Sequence, residues 1–228
     1  MIEKIKAVAY TNLEEYLLQI TSLEGLKFAF SSSLSWEDQV LTHAIYSQEL
    51  PIRVFTLDTG RLFPETYSVI EATRQRYQKE LEVYFPEYRT VEQLLTRKGP
   101  ISFYESLENR KECCFIRKVE PLNRALKGVD VWITGLRADH SENRSGLELV
   151  EWDEQRQIVK INPLANWSLD EVKAYIRQYN IPYNSLQDRG FVSLGCQPCT
   201  RAIKKGESFR AGRWWWEDNS KKECGLHG

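Results

Sequence analysis

The sequence predicts an α/β fold: an open, mostly parallel twisted sheet with helices on both faces. Two observations carry this reading. Short apolar runs alternate, over most of the chain, with segments whose apolar residues recur at helical spacing. Small or polar runs, "SSSLS" (31–35) and "LDTG" (57–60), follow the first two apolar runs, and open sheets bind ligands beyond the carboxyl ends of their strands.

The elements follow in order. "LEEYLLQI" (13–20) has helical periodicity, and "LKFAF" (26–30) reads as a short buried strand. "WEDQVLTHAIYSQEL" (36–50) resumes the helical period, with His43 on its apolar face as a structural residue. "IRVFTLDTG" (52–60) is a second strand. "FPETYSVIEATRQRYQ" (63–78) is a helix with Pro64 in its first turn, where a missing N–H costs least. "LEVYFPE" (81–87) is expected as a third strand, "VEQLLTRKG" (91–99) as a short helix, and "ENRKECCFIRKVEPLNRAL" (108–126) as a helical stretch. "VDVWITGL" (129–136) is a later strand, and "LELVEWDEQRQIVKINPL" (147–164) alternates like a hairpin. "SLDEVKAYIRQYN" (168–180) is an amphipathic helix opened by Ser168. The remainder is rich in turn residues. The chain is therefore divided into an α/β body, residues 1–205, and a C-terminal segment, 206–228, that leaves the core.

Composition narrows the function. An apolar content of 42% and a charged content of 28% are those of a globular protein, and 228 residues suffice for one sizeable core. The formal charge of −1 argues against a dedicated polyanion binder, so no nucleic-acid partner is expected. No apolar run reaches the roughly 18 residues of a membrane span, and the amino terminus lacks an export signal. The protein reads as cytoplasmic, where its five cysteines stay reduced.

Those cysteines fall into four plus one. Cys113–Cys114 and the "CQPC" pair, Cys196 and Cys199, make two pairs; Cys224 stands alone near the end, in "SKKECGLHG". Adjacent cysteines rarely cross-link to each other, whereas C-x-x-C lets two thiolates converge on one metal centre. An adjacent pair is unusual in a zinc ribbon, which favours an iron–sulfur cluster over zinc. Arg117 and Lys118 follow the first pair by one helical turn, where cations would offset a negative cluster.

"KECCFIRKVEPLNRAL", "SLGCQPCTR", "LDTGRLFPET" and "GRWWWEDNSKKECGLH" together resemble the assimilatory adenylyl-sulfate (APS) reductases, relatives of the phosphoadenylyl-sulfate (PAPS) reductases that carry an iron–sulfur cluster. The resemblance runs from about residue 26 to the end of the chain. It implies an α/β domain of the PP-loop type and reduction of APS by thioredoxin, or a glutaredoxin-like reductant, to sulfite and AMP, in sulfate assimilation and cysteine biosynthesis. It also implies one [4Fe–4S] cluster per chain on Cys113, Cys114, Cys196 and Cys199, with Cys224 as the nucleophile. Lys118 would sit between cluster and substrate. Arg144, Arg210, Arg213 and His227 match positions that hold the phosphosulfate. Ser31 and Ser33 match the phosphate loop, and Leu57 and Gly135 match backbone contacts to the nucleoside. One departure is Leu34, where many relatives carry glycine or another small residue.

The chemistry agrees with the residues. A thiolate attacking sulfur among negative oxygens needs cations or aligned N–H groups, and Lys118, Arg210, Arg213, Lys221 and Lys222 accompany the thiols in sequence. A nucleophile that must visit first the substrate and then a protein reductant suits a chain end flanked by Gly225 and Gly228. "SSSLS" lacks the lysine of a Walker loop. Asp58 and Thr59 either contact nucleotide or cap the following helix; "RWWW" (213–216) either stacks on a ligand or pins the segment to the body. The alternatives are a PAPS or dual APS/PAPS reductase, a PP-loop tRNA-thiolating enzyme with a cluster, and a non-enzymatic zinc or electron-transfer module. The oligomeric state is open, a homo-oligomer included.

Overall fold

A computed structural model of the chain describes residues 1–138 and 146–217. The expectations at Arg144, Lys221, Lys222, Cys224 and His227 lie outside the described residues. The elements are α1 (Ile2–Lys6), α2 (Leu13–Thr21), β1 (Phe28–Ser32), α3 (Trp36–Ser47), β2 (Ile52–Leu57), α4 (Pro64–Tyr77), β3 (Glu82–Tyr84), α5 (Tyr88–Lys98), α6 (Leu107–Cys114), α7 (Glu120–Ala125), β4 (Val131–Ile133), β5 (Val150–Asp153), β6 (Ile158–Ile161) and α8 (Leu169–Gln178). No helix among the described residues is long and apolar enough to cross a membrane.

The six strands form one sheet in the order β3-β2-β1-β4-β6-β5. Every neighbouring pair is parallel except the β5–β6 hairpin. The chain moves outward from β1 through β2 to β3, then returns to β1's other side as β4. Strand direction is kept while the order reverses, which opens a crevice between the carboxyl ends of β1 and β4. That crevice positions the site.

Alternation along β1 divides the core. Phe28 and Phe30 face a large apolar cluster with Leu17 of α2, Leu41 of α3 and Val172 of α8, while Ala29 faces Phe55, Trp132 and the α7 residues Leu122 and Ala125. Both faces are covered, as a parallel sheet requires. α8 opens with a full capping box between Ser168 and Glu171. His43 is held in the fold by Tyr77, whose hydroxyl lies 3.0 Å from its Nδ1.

β1 is displaced to Phe28–Ser32 from the expected 26–30, and the other strands are shorter than their apolar runs. β2 stops at Leu57 because Asp58 turns the chain: its carboxylate accepts the Gly60 N–H at 2.8 Å and the Tyr67 hydroxyl at 3.1 Å. Asp58 therefore braces the turn and does not cap α4, whose N-cap Phe63 has no side-chain bond. β4 covers only residues 131–133 of the expected 129–136, and β3 only 82–84 of 81–87. The stretch expected as one helical pattern over 108–126 widens into a π turn at Phe115–Val119, where the Glu120 N–H reaches back to the Phe115 carbonyl. Pro121 has no N–H to offer Arg117, so the regular ladder cannot continue there. The short α1 had no expectation in the sequence.

Candidate active site

The crevice holds a cleft of about 200 Å³. Its floor comes from the loop after β1 and the chain after β4, and Ser31, Ser33, Leu57 and Gly135 all line it. It is also lined by Lys118 from the π turn and by Arg210 and Arg213 from the C-terminal segment. Seven site residues named from sequence, distant along the chain, thus share one cavity.

Several features of this cleft have an identifiable cause. Leu34 sits at φ 64, the left-handed region that disfavours a branched side chain, and is only 1% exposed. Burial holds Leu34 in a turn where glycine would fit without strain. Ser31 is oriented from the sheet, since the Trp132 indole N–H donates to its hydroxyl at 2.9 Å. A Cβ at residue 135 would stand 2.1 Å from Asp38 Oδ1, so glycine is required for Asp38 to occupy its place. A Cβ at Gly195 would stand 2.3 Å from the Arg213 guanidinium. That guanidinium lies flat on the backbone just before the C-x-x-C pair, and donates to the Leu194 carbonyl at 2.5 Å.

A second, smaller cavity adjoins the first. Cys113, Cys114, Cys196 and Cys199 all line it, with Arg61, Arg110, Arg117 and Lys118 around them. Lys118 borders both cavities. The first pair is delivered by the end of α6, the second by a 3-10 turn over Gln197–Cys199 with Pro198 in it. The 3-10 turn is tied to the chain after β2, where the Gln197 N–H donates to the Arg61 carbonyl at 2.8 Å. Thr59 completes the seam: its hydroxyl lies 3.3 Å from Cys196 Sγ, and its carbonyl accepts from Arg117 at 2.6 Å.

Electrostatics differ among the thiols. Burial raises the Cys196 thiol, but Lys118, the Thr59 hydroxyl, Arg213 and Arg117 outweigh it and leave the group below its ordinary value. Burial pushes Cys199 up to about 12, with Cys196 adding to the effect. Burial also raises Cys113, against Arg61 and Arg117. Four buried thiols with cations on several sides are a set that gains from giving up protons to a metal centre.

The fit to a metal can be tested on geometry. Among the described residues no three His, Cys, Asp or Glu side chains are grouped as a single ion requires. Four buried thiols that line one cavity, with cations beside them, are compatible with a metal cluster held between the two pairs.

The start of the C-terminal segment is packed down. Trp214 is 1% exposed and lies in the same apolar cluster as the four cysteines. Its backbone N–H donates to the Cys199 carbonyl at 3.1 Å, and Thr200 pairs with Arg213 in an antiparallel bridge. Of the tryptophans in "RWWW", Trp214 pins the chain to the body, while Trp215 remains 40% exposed. Sequence reasoning missed Arg61, Arg110 and Asp38. Arg61 stands in a motif already singled out, but its approach to the cysteines depends on Phe103, whose ring it covers at 4.9 Å. Nothing local to residue 110 signals that contact.

Comparison with known proteins gives the following. The model of the phosphoadenosine phosphosulfate reductase domain matches residues 27–202. A Burkholderia cepacia protein named adenosine 5'-phosphosulfate reductase is 52% identical over 97% of this chain and 88% of its own length. The crystal structure of a Candida auris phosphoadenylyl-sulfate reductase, in a phosphate complex, superposes with a TM-score of 0.73 at 30% identity, covering 89% of this chain and 96% of that one. Yeast FAD synthetase, at 15% identity and a TM-score of 0.56 over 88% of this chain and 72% of its own, shares the fold.

Proposed function

The chain belongs to the phosphoadenosine phosphosulfate reductase family, and from that premise we propose that it reduces adenosine 5'-phosphosulfate to sulfite and AMP with electrons from thioredoxin or a similar dithiol protein. Membership makes it an oxidoreductase acting on sulfur. The observation that carries the finer reading is Lys118, one cation bordering both the cavity of the four cysteines and the cleft of the serine loop.

In this reading the end of β1 and the turn that follows it, Ser31–Ser33, and the guanidiniums of Arg210 and Arg213 bind the phosphosulfate, joined by Arg144 and His227. The backbone at Leu57 and Gly135 orients the nucleoside. The Cys224 thiolate attacks the sulfur of the sulfuryl group; the bond from that sulfur to the phosphate oxygen breaks and AMP leaves with the electron pair. Charge that develops on the sulfuryl and phosphate oxygens is met by Lys118 and the two arginines. Cys224 is left as S-sulfocysteine. A thiolate of the reductant attacks the Cys224 sulfur, sulfite departs, and the second thiol of the reductant frees Cys224. The dithiol supplies both electrons and ends as a disulfide.

Cys113, Cys114, Cys196 and Cys199 would hold a [4Fe–4S] cluster, which supplies a fixed charge beside Lys118 and a brace between α6 and the C-terminal segment. The relatives at about half identity are named for the substrate without a 3′-phosphate, which favours APS over the PAPS and dual-substrate alternatives. The test is the rate of sulfite formation from APS and from PAPS with thioredoxin, alongside iron and sulfide content. APS-dependent sulfite release by a four-iron protein is expected; a preference for PAPS would overturn the substrate assignment.

A further inference from the structure

The cleft contains a buried acid that the proposed reaction leaves unused. Asp38 lies in the first turn of α3 and is 6% exposed. Its Oδ2 accepts from both the Ser33 N–H and the Ser33 hydroxyl, each at 2.5 Å. Its Oδ1 fills the space that the missing Cβ of Gly135 leaves open. The Ser33 hydroxyl oxygen is in turn 2.9 Å from that of Ser35. Asp38, Ser33 and Ser35 form a short line of oxygens, and all three residues line the cleft.

The direction of that line depends on one proton. An ionised carboxylate can only accept. It then holds both Ser33 donors, so that neither is available to a ligand, and leaves a negative charge beside the turn that receives the phosphosulfate. A protonated Asp38 donates to the Ser33 oxygen, and Ser33 is free to donate to Ser35 or to a ligand. An anion arriving at this loop favours the second state twice, by repelling the buried carboxylate and by accepting the freed hydroxyl.

We propose that substrate binding is proton-linked through Asp38: the phosphosulfate enters as one proton passes from solvent to the Asp38 carboxyl, Ser33 turns its hydroxyl to the ligand, and the proton returns when the products leave. This rests on the reading that the cleft takes APS. Asp38 is a positioning residue acting through Ser33. The charged groups near it are Glu37 of the same helix, with its ion-pair partner Arg137 from the chain after β4, and Lys118, Arg210 and Arg213, which line the same cleft. Glu37 is spent on Arg137, at 3.0 Å, with both side chains buried. Burial, opposed by the two Ser33 bonds and aided slightly by Glu37, pushes the Asp38 carboxyl up to about 7.

The test is isothermal titration of APS into the full-length, cluster-loaded Cys224→Ser protein, which cannot consume the ligand. It is run from pH 6.5 to 8.5 in two buffers of different ionisation enthalpy. APS itself has no group titrating in that range. Proton uptake rising toward about one per ligand at high pH is expected, with affinity falling up to about tenfold per pH unit above 7. Asp38→Asn should abolish the uptake and flatten the pH dependence. In protein that retains Asp38, APS at pH 8 should raise the infrared band of a protonated carboxylic acid, a readout that needs no variant at 38. Binding without proton uptake, uptake that persists in Asp38→Asn, or absence of the acid band overturns the proposal. A failure to bind APS at any pH strikes the functional reading instead.

Discussion

Arg110 and Glu217 stand 107 positions apart and meet in a buried bidentate ion pair, with both N–O distances at 2.9 Å. Arg110 also stacks on Trp214, its guanidinium carbon 4.6 Å from the ring centroid, and interacts with the Cys114 sulfur. The pair joins the helix carrying one cysteine pair to the chain that runs on toward Cys224.

Because both side chains are less than a tenth exposed, removing one partner strands a buried charge. Glu217→Ala should lower the unfolding free energy by about 3–5 kcal/mol, read by denaturant titration of the cluster-loaded protein. Replacing the pair together, Arg110→Met with Glu217→Leu, should recover much of that loss. Equal destabilisation by the double variant would show that the pair itself contributes the stability.

The two kinds of cysteine should separate. Cys113→Ser is expected to lose iron and sulfide, while Cys224→Ser keeps a full complement of both and releases no sulfite. Iron analysis beside a sulfite assay decides this. Loss of iron from Cys224→Ser would falsify the division between ligands and nucleophile.

Gly195 and Arg213 should behave as one unit. The Gly195→Ala methyl must displace the guanidinium that now covers the glycine, so both Gly195→Ala and Arg213→Ala are expected to cut kcat/KM for APS by about 10- to 100-fold, the worth of a charged hydrogen bond. Their combination should cost little more than either alone. Additive losses would mean that the glycine serves another purpose.

Lys118→Ala should reduce kcat/KM by about 100-fold or more through lost stabilisation of the developing charge, with iron content unchanged. Visible absorption and sulfite release measured on one preparation check both halves.

Asp38 gives a stability prediction with a definite sign. Its folded-state pKa is raised from 3.8 to about 7, so between those values the native state holds a proton that the unfolded chain has released. The contribution is complete below the unfolded value and is lost as pH rises through about 7, on the order of 4 kcal/mol in all. The melting temperature of Asp38→Asn relative to the parent should therefore climb from pH 5.5 to 7.5 and level off above it. A constant difference across that window would rule out a raised pKa.

Much of the fold was legible because the physics involved is local. Strand–helix alternation, Ser168 as a cap and the β5–β6 hairpin each follow from residues within a few positions of one another. The π turn was not read from the helical pattern of 108–126, although its cause, Pro121, stood in plain view. A proline says that the ladder must fail, but not whether the chain will kink, stop or widen.

The sequence by itself determined the inventory: an alternating α/β chain, four cysteines in two pairs and one apart, and the small residues that make turns at strand ends. These depend on side-chain chemistry and short-range spacing. Only the tertiary structure decided that Lys118 borders two cavities, that Asp38 meets Ser33 and a glycine from the chain after β4, and that Arg110 is held by Glu217. Such contacts join residues far apart in sequence, and the reversal of strand order between β1 and β4 brings them together at one end of the sheet.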